Sequence, residues 1–165
     1  MILRKSLRRI FWILLVLLVL AQFIPVPRSN PPVDPSKTLA ATAPVPPQVA
    51  AIFERSCQDC HSNLTRWPWY SHVAPVSWGV WSDVTGARKM MNLSEWGTFS
   101  DSRKDTRLGD MVEQITSGGM PDSKYLLIHR NAKLSEQDKK TLVDWAETTR
   151  KNLGYKKEPA PTTPR

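Results

Sequence analysis

Two thiols and an imidazole stand together at Cys57-Gln58-Asp59-Cys60-His61, and these two cysteines are the whole supply of the chain. Two intervening residues close a single turn, so both sulfurs can reach one porphyrin edge and add across the two vinyl groups of a haem. A histidine directly after the second thiol then lies under the ring as an axial ligand to iron. Other chemistries use parts of the same set. A thioredoxin-like redox pair sits at a strand-to-helix junction, and a structural zinc site needs further ligands, for which only His72 and His129 remain. A plain disulfide needs only an oxidising compartment. Covalent attachment of one haem c is the reading that uses Cys57, Cys60 and His61 together.

The sixth position on such an iron calls for a second ligand, and Met120 is the preferred one. It lies 59 residues beyond His61 in the loop Ser117-Gly118-Gly119-Met120-Pro121. Paired glycines let the backbone turn sharply there and proline stiffens the exit. A thioether suits an electron-transfer iron and raises its potential relative to a second histidine. The plainer alternative for Met120 is a gap-filling core side chain. His72 and His129 are rival ligands, Met111 falls on an apolar helical stripe, and Met90 and Met91 close a helix.

The elements that must position these groups read as helices. Val49, Ile52, Phe53 and Ser56 share one face of a short helix running into Cys57. Ser77 is expected to cap a second, in which Val80, Trp81, Val84 and Arg88 recur at helical spacing. A third spans roughly residues 105–116, with Leu108, Met111, Val112 and Ile115 as its stripe and Gly118 and Gly119 as its stop. The last starts at Ser135, with Glu136 and Asp138 in its first turn and Leu142, Val143, Trp145 and Ala146 on its apolar face. No strand pair is evident, so the expected fold is all-α, a small helical domain around one haem, over residues 48–155.

The flanks differ in composition. Residues 1–24 carry Arg4, Lys5, Arg8 and Arg9 ahead of an apolar run from Ile10 to Ile24 broken only by Gln22. That pattern predicts a secretory signal or, with no small-x-small cleavage site, an uncleaved anchor helix that puts the remainder outside the cytoplasm. Residues 25–47 hold eight prolines and read as an extended spacer. Residues 156–165 read as a disordered tail. The formal charge of +8 owes four units to the N-terminal basic cluster. The remainder forms no run dense enough to follow a phosphate backbone, which argues against nucleic acid.

The chain resembles a class I cytochrome c in its short helix running into Cys57 to His61, its downstream Gly119-Met120-Pro121 loop and its C-terminal amphipathic helix. More narrowly, Cys57 to Asn63, Trp67-Pro68-Trp69-Tyr70-Ser71, Ala74-Pro75-Val76-Ser77-Trp78 and Asn92-Leu93-Ser94-Glu95-Trp96 resemble a bacterial haem-binding domain family, over roughly residues 48–150. The resemblance implies that the first and last helices cross through Phe53 and Trp145. It also implies that a proline carbonyl, Pro68 or Pro75, accepts the Nδ1 hydrogen of His61. The tryptophans between 67 and 81 are expected to wall the haem, and the competing reading is an exposed patch that docks a partner.

Together these features predict a monohaem electron carrier with no catalytic residue. It would be attached to the bacterial inner membrane with its domain in the periplasm, and would serve a redox protein partner. The alternative is a haem sensor or peroxidase-like enzyme with an open sixth site. That alternative needs a distal acid-base pair, and His129-Arg130 comes nearest to one.

Overall fold

The computed structural model describes residues 2–154, and every regular element among them is helical. Tyr155 and the tail at 156–165 lie outside the described residues. Helix α1, Ile2–Ala21, stands apart from the rest, with each side chain from Arg4 to Leu20 exposed or nearly so. Its four basic residues fall inside the helix, which leaves Ile10–Ala21 as the uncharged part, only ~18 Å long at 1.5 Å per residue. A hydrocarbon core is about 30 Å thick. Among the described residues no helix is long and apolar enough to cross a membrane, so the expected spanning anchor is not realised.

The proline-rich stretch is not a free spacer. Asn30 donates to the Thr65 carbonyl at 2.9 Å and accepts from the Trp67 indole at 3.2 Å and from Arg88 at 2.7 Å. The Pro32 carbonyl accepts from Asn63. Prolines hold this backbone extended with few donors of their own, so its carbonyls and the interspersed polar side chains find partners on the body. Beyond it the chain turns into α2, Leu39–Thr42, capped by Thr38. Leu39 is buried in the core, and Ala43 and Val45 pack against it. The folded body thus begins well before residue 48. Gly97 is required by this packing, because a Cβ there would meet the Thr42 side chain at 2.8 Å and Lys37 backbone at 3.2 Å.

The core is built chiefly by three of the longer helices, and a fourth packs beside the cysteine turn. Helix α3, Pro47–Ser56, has proline in its first turn, where a missing N–H costs nothing, and buries Val49, Ile52, Phe53 and Ser56 as its spacing predicts. Helix α5, Val76–Met90, begins after Pro75, so Ser77 lies inside it and is buried instead of capping it. Helix α6, Asp101–Ser117, is longer than expected because Ser100 caps it through the Arg103 amide; it ends at Gly118 with φ 77°. Helix α8, Glu136–Leu153, opens with a reciprocal capping box between Ser135 and Asp138 and buries Leu142, Trp145, Ala146 and Thr149. Helices α6 and α8 pack extensively on each other. Phe53 and Trp145 meet edge to face with ring centroids 5.3 Å apart, which joins α3 to α8 as the resemblance implies. The Trp145 indole also donates to the Pro44 carbonyl at 2.9 Å. Two short helices complete the order: α4, Gln58–His61, and α7, Ser123–Ile128, which the sequence reading lacks.

Candidate haem-attachment site

Cys57 ends α3 and starts α4. Its amide still donates to the Phe53 carbonyl at 2.9 Å, while its own φ of −127° breaks the helical path. Its carbonyl accepts from Cys60 at 3.2 Å and His61 at 2.9 Å, and this closes the single turn that carries both thiols and the imidazole. Both cysteines are free and half-buried. Burial first, and then the neighbouring Cys60, push the Cys57 thiol up to about 12. Burial, followed by the charges of Asp59, Asp83 and Asp122, raises Cys60 to about 11. Both sulfurs are therefore thiols at neutral pH, poor partners for disulfide exchange.

The imidazole of His61 is oriented by Met91, not by a proline. Nδ1 lies 3.1 Å from the Met91 carbonyl, which can only accept, so Nδ1 carries the hydrogen. The reason lies at the end of α5. Met91 is extended at φ −146°, ψ 125° while its amide still donates to Ala87, so its carbonyl leaves the helical ladder and turns to another donor. Burial pulls the His61 pKa below its usual value, and the carbonyls of Met91 and Ala87 oppose that shift. The residues around Met91 grip the same turn. Leu93 donates to the His61 carbonyl at 2.7 Å, and Arg88 donates to the Ser62 carbonyl at 2.8 Å. Ser94 accepts from the Asn63 amide at 3.0 Å, and Asn92 donates to the Asn63 side chain at 2.9 Å.

Met120 stands two positions after the left-handed Gly118, and its amide donates to the Gln114 carbonyl at 3.1 Å. Its side chain is 41% exposed, unlike the core residues Met91 and Met111, so it is not filling a gap. Helix α7, which follows this loop, reaches the cysteine turn through Tyr125, whose hydroxyl donates to Asp59 at 3.1 Å. The rival histidines are placed otherwise. His72 is exposed at the end of a 3₁₀ turn, Trp69–His72. His129 stacks on Tyr125 at 4.2 Å, and its Nε2 is 2.7 Å from the Tyr70 hydroxyl. Tyr125 in turn donates to Asp59 at 3.1 Å, between the two attachment cysteines. This cluster went unread in the sequence, where tyrosines 55 residues apart carry no local pattern. The expected tryptophan wall also changes: Trp67 and Trp78 spend their indole N–H groups on Asn30 and the Ile24 carbonyl, and Trp69 is 78% exposed.

The donor set fits a covalently held haem. Two thiols and one imidazole share a turn, both sulfurs keep their protons, and the Nδ1 hydrogen bond leaves the Nε2 lone pair for a metal. The thioredoxin-like and zinc readings lose their geometry. The described residues contain no strand for a thioredoxin-like junction, and no group of three or more His, Cys, Asp or Glu side chains among them converges as a metal site. No curated protein and no solved structure matches the chain. Comparison with protein families matches residues 16–148 to the haem-binding domain. That match takes in well over half of the sequence, including the attachment turn, Met91 and the proline-rich segment, and the chain therefore belongs to the haem-binding domain family.

Proposed function

We propose that the protein is a c-type cytochrome that holds one haem covalently through Cys57 and Cys60, with His61 and Met120 as axial ligands, and passes single electrons to a redox protein partner. The iron of the bound haem supplies the one-electron chemistry. The chain supplies the two thiols, the fixed imidazole and a thioether on a loop of its own. The observation that carries this reading is the bond from His61 Nδ1 to the Met91 carbonyl at 3.1 Å. It fixes one tautomer and one ring orientation, as an axial histidine requires. Filling both axial positions keeps substrates off the iron, which separates a carrier from an enzyme or sensor. We further assign the protein to the periplasmic face of a bacterial inner membrane, with α1 as its attachment. The support is the apolar run beside four basic residues and the need of such haem domains for export.

The test is the visible spectrum of the exported protein, oxidised and reduced, with and without carbon monoxide, beside Met120→Ala. The expected native spectrum is six-coordinate and indifferent to carbon monoxide, and the substitution converts it to one that binds the gas. Haem should stay with the chain through denaturation and reduction, and should be lost on extraction from the Cys57→Ser/Cys60→Ser protein. Carbon monoxide binding by the native protein would instead favour the sensor or enzyme reading.

A further inference from the structure

Gln22, the one polar residue between Ile10 and Ile24, is used as a lock. Its side-chain amide donates to the Ala74 carbonyl at 3.0 Å and accepts from the Ala74 amide at 3.0 Å. Two residues on, the Ile24 carbonyl accepts from the Trp78 indole at 3.1 Å. Helical turns continue from α1 into this lock, through Phe23 to Leu20 at 3.1 Å and Ile24 to Ala21 at 3.2 Å. The end of α1 is thus fastened to Ala74, just before α5, and to Trp78 in the first turn of α5.

Around the lock the surface is apolar. Phe23, Ile24, Trp69, Val73 and Val76 are all large and exposed, Phe23 and Trp69 by more than three quarters. They prolong the apolar surface of α1, which by itself falls short of a hydrocarbon core. The charge pattern agrees. From Ile10 to Val33 and from Cys60 to Ser82 the sequence contains no Asp or Glu, while Arg28 and the basic cluster of α1 are cationic; Arg66 is paired with Asp59 at 3.1 Å. An apolar stretch of helix, a tryptophan-bearing collar at its end and two flanking stretches free of carboxylates suit a bilayer with anionic headgroups better than a protein surface.

We propose that this collar is a lipid-contacting face: Phe23, Ile24, Trp69, Val73 and Val76 seat in the bilayer interface beside α1, so the haem domain is held against the membrane in one orientation instead of swinging on a tether. This rests on the membrane attachment proposed above, and the test separates the two. Spin labels are placed singly at Val73→Cys, Val76→Cys, Val16→Cys within α1 and Lys140→Cys on α8, in the full-length haem-loaded protein, whose native cysteines are consumed by the haem. The protein is bound to vesicles of phosphatidylethanolamine and phosphatidylglycerol, and collision with oxygen is compared with collision with a water-soluble nickel chelate.

The expected result is a shift of the oxygen-over-chelate ratio at 73 and 76 towards the lipid value at 16, with 140 remaining at the aqueous value. Adding Gln22→Ala should return 73 and 76 towards water while leaving 16 in lipid. A lipid value at 16 with aqueous values at 73 and 76 overturns the collar and leaves α1 as a simple tether. An aqueous value at all four positions overturns the membrane attachment as well. Immobile labels at 73 and 76, shielded from both reagents, would place a second copy of the chain on the face and also overturn the proposal.

Discussion

Cys60 keeps its proton to about 11 because it is half-buried and faces Asp59, Asp83 and Asp122. In the haem-free Cys57→Ser protein its thiolate fraction at neutral pH should be on the order of a hundredfold below that of an ordinary thiol. Alkylation by iodoacetamide should therefore be slow and climb with pH toward that value; a midpoint near the usual 9.0 would contradict the buried, anion-ringed setting. Arg88 also has several duties, bonding the Ser62 carbonyl, the Thr65 hydroxyl and Asn30. Arg88→Ala should lower stability by about 2 kcal/mol in urea denaturation, since buried acceptors lose a charged donor. The turn that gathers Cys57, Cys60 and His61 was legible in the sequence because it is local, five consecutive positions. The partner of His61 was not, because Met91 acts through its backbone carbonyl, and a carbonyl leaves no trace in residue type.

Helices α3 and α8 are coupled twice, by the Phe53–Trp145 contact and by Arg55, which pairs with Asp138 at 2.8 Å. Asp138 also completes the capping box of α8, and the Ser135 amide, with help from the Ser135 hydroxyl and Arg55, holds its pKa below the usual 3.8. A carboxyl with a depressed native pKa binds its proton more readily when unfolded. Its contribution is complete above the unfolded value near 3.8 and is lost as pH falls through the lower native value. Asp138→Asn should cost about 1 kcal/mol at neutral pH, and the cost should shrink on acidification below pH ~4, as read from urea midpoints across a pH series. A cost that stays constant through that window would remove the carboxylate from the explanation. Trp145→Ala, which opens a cavity against Phe53, should cost more, about 3–5 kcal/mol in the same assay. The apolar stripes of α3, α6 and α8 were readable because each repeats at the helical period; of their N-terminal caps only Ser135 of α8 was read, and Ser100 of α6 was missed. Ser77 misled because proline two positions earlier already starts α5, which carries the serine into the helix. Helix α7 has only six residues and no buried one, so no stripe announced it.

On the scale of the whole molecule, composition misjudged the N-terminal third. Eight prolines in residues 25–47 suggested a solvated spacer, yet a proline-rich strand without internal hydrogen bonds is also well suited to lie along another surface. The bonds of Asn30, Arg28 and Pro32 to the body are tertiary and have no sequence period. Limited trypsin digestion gives the check: Arg28, bonded to the Ser71 carbonyl, should be cut only as slowly as the domain opens, whereas a free spacer would be cut first. The grip of Met91 on His61 reaches across thirty positions of sequence. A chain made from its N-terminus presents Cys57, Cys60 and His61 well before Met91 follows. In the haem protein proposed above, attachment and ligation would thereby be separate events in time: the sulfurs would be free to meet haem while the chain is still arriving, and the imidazole would take its final bearing only when the later segment closes behind it.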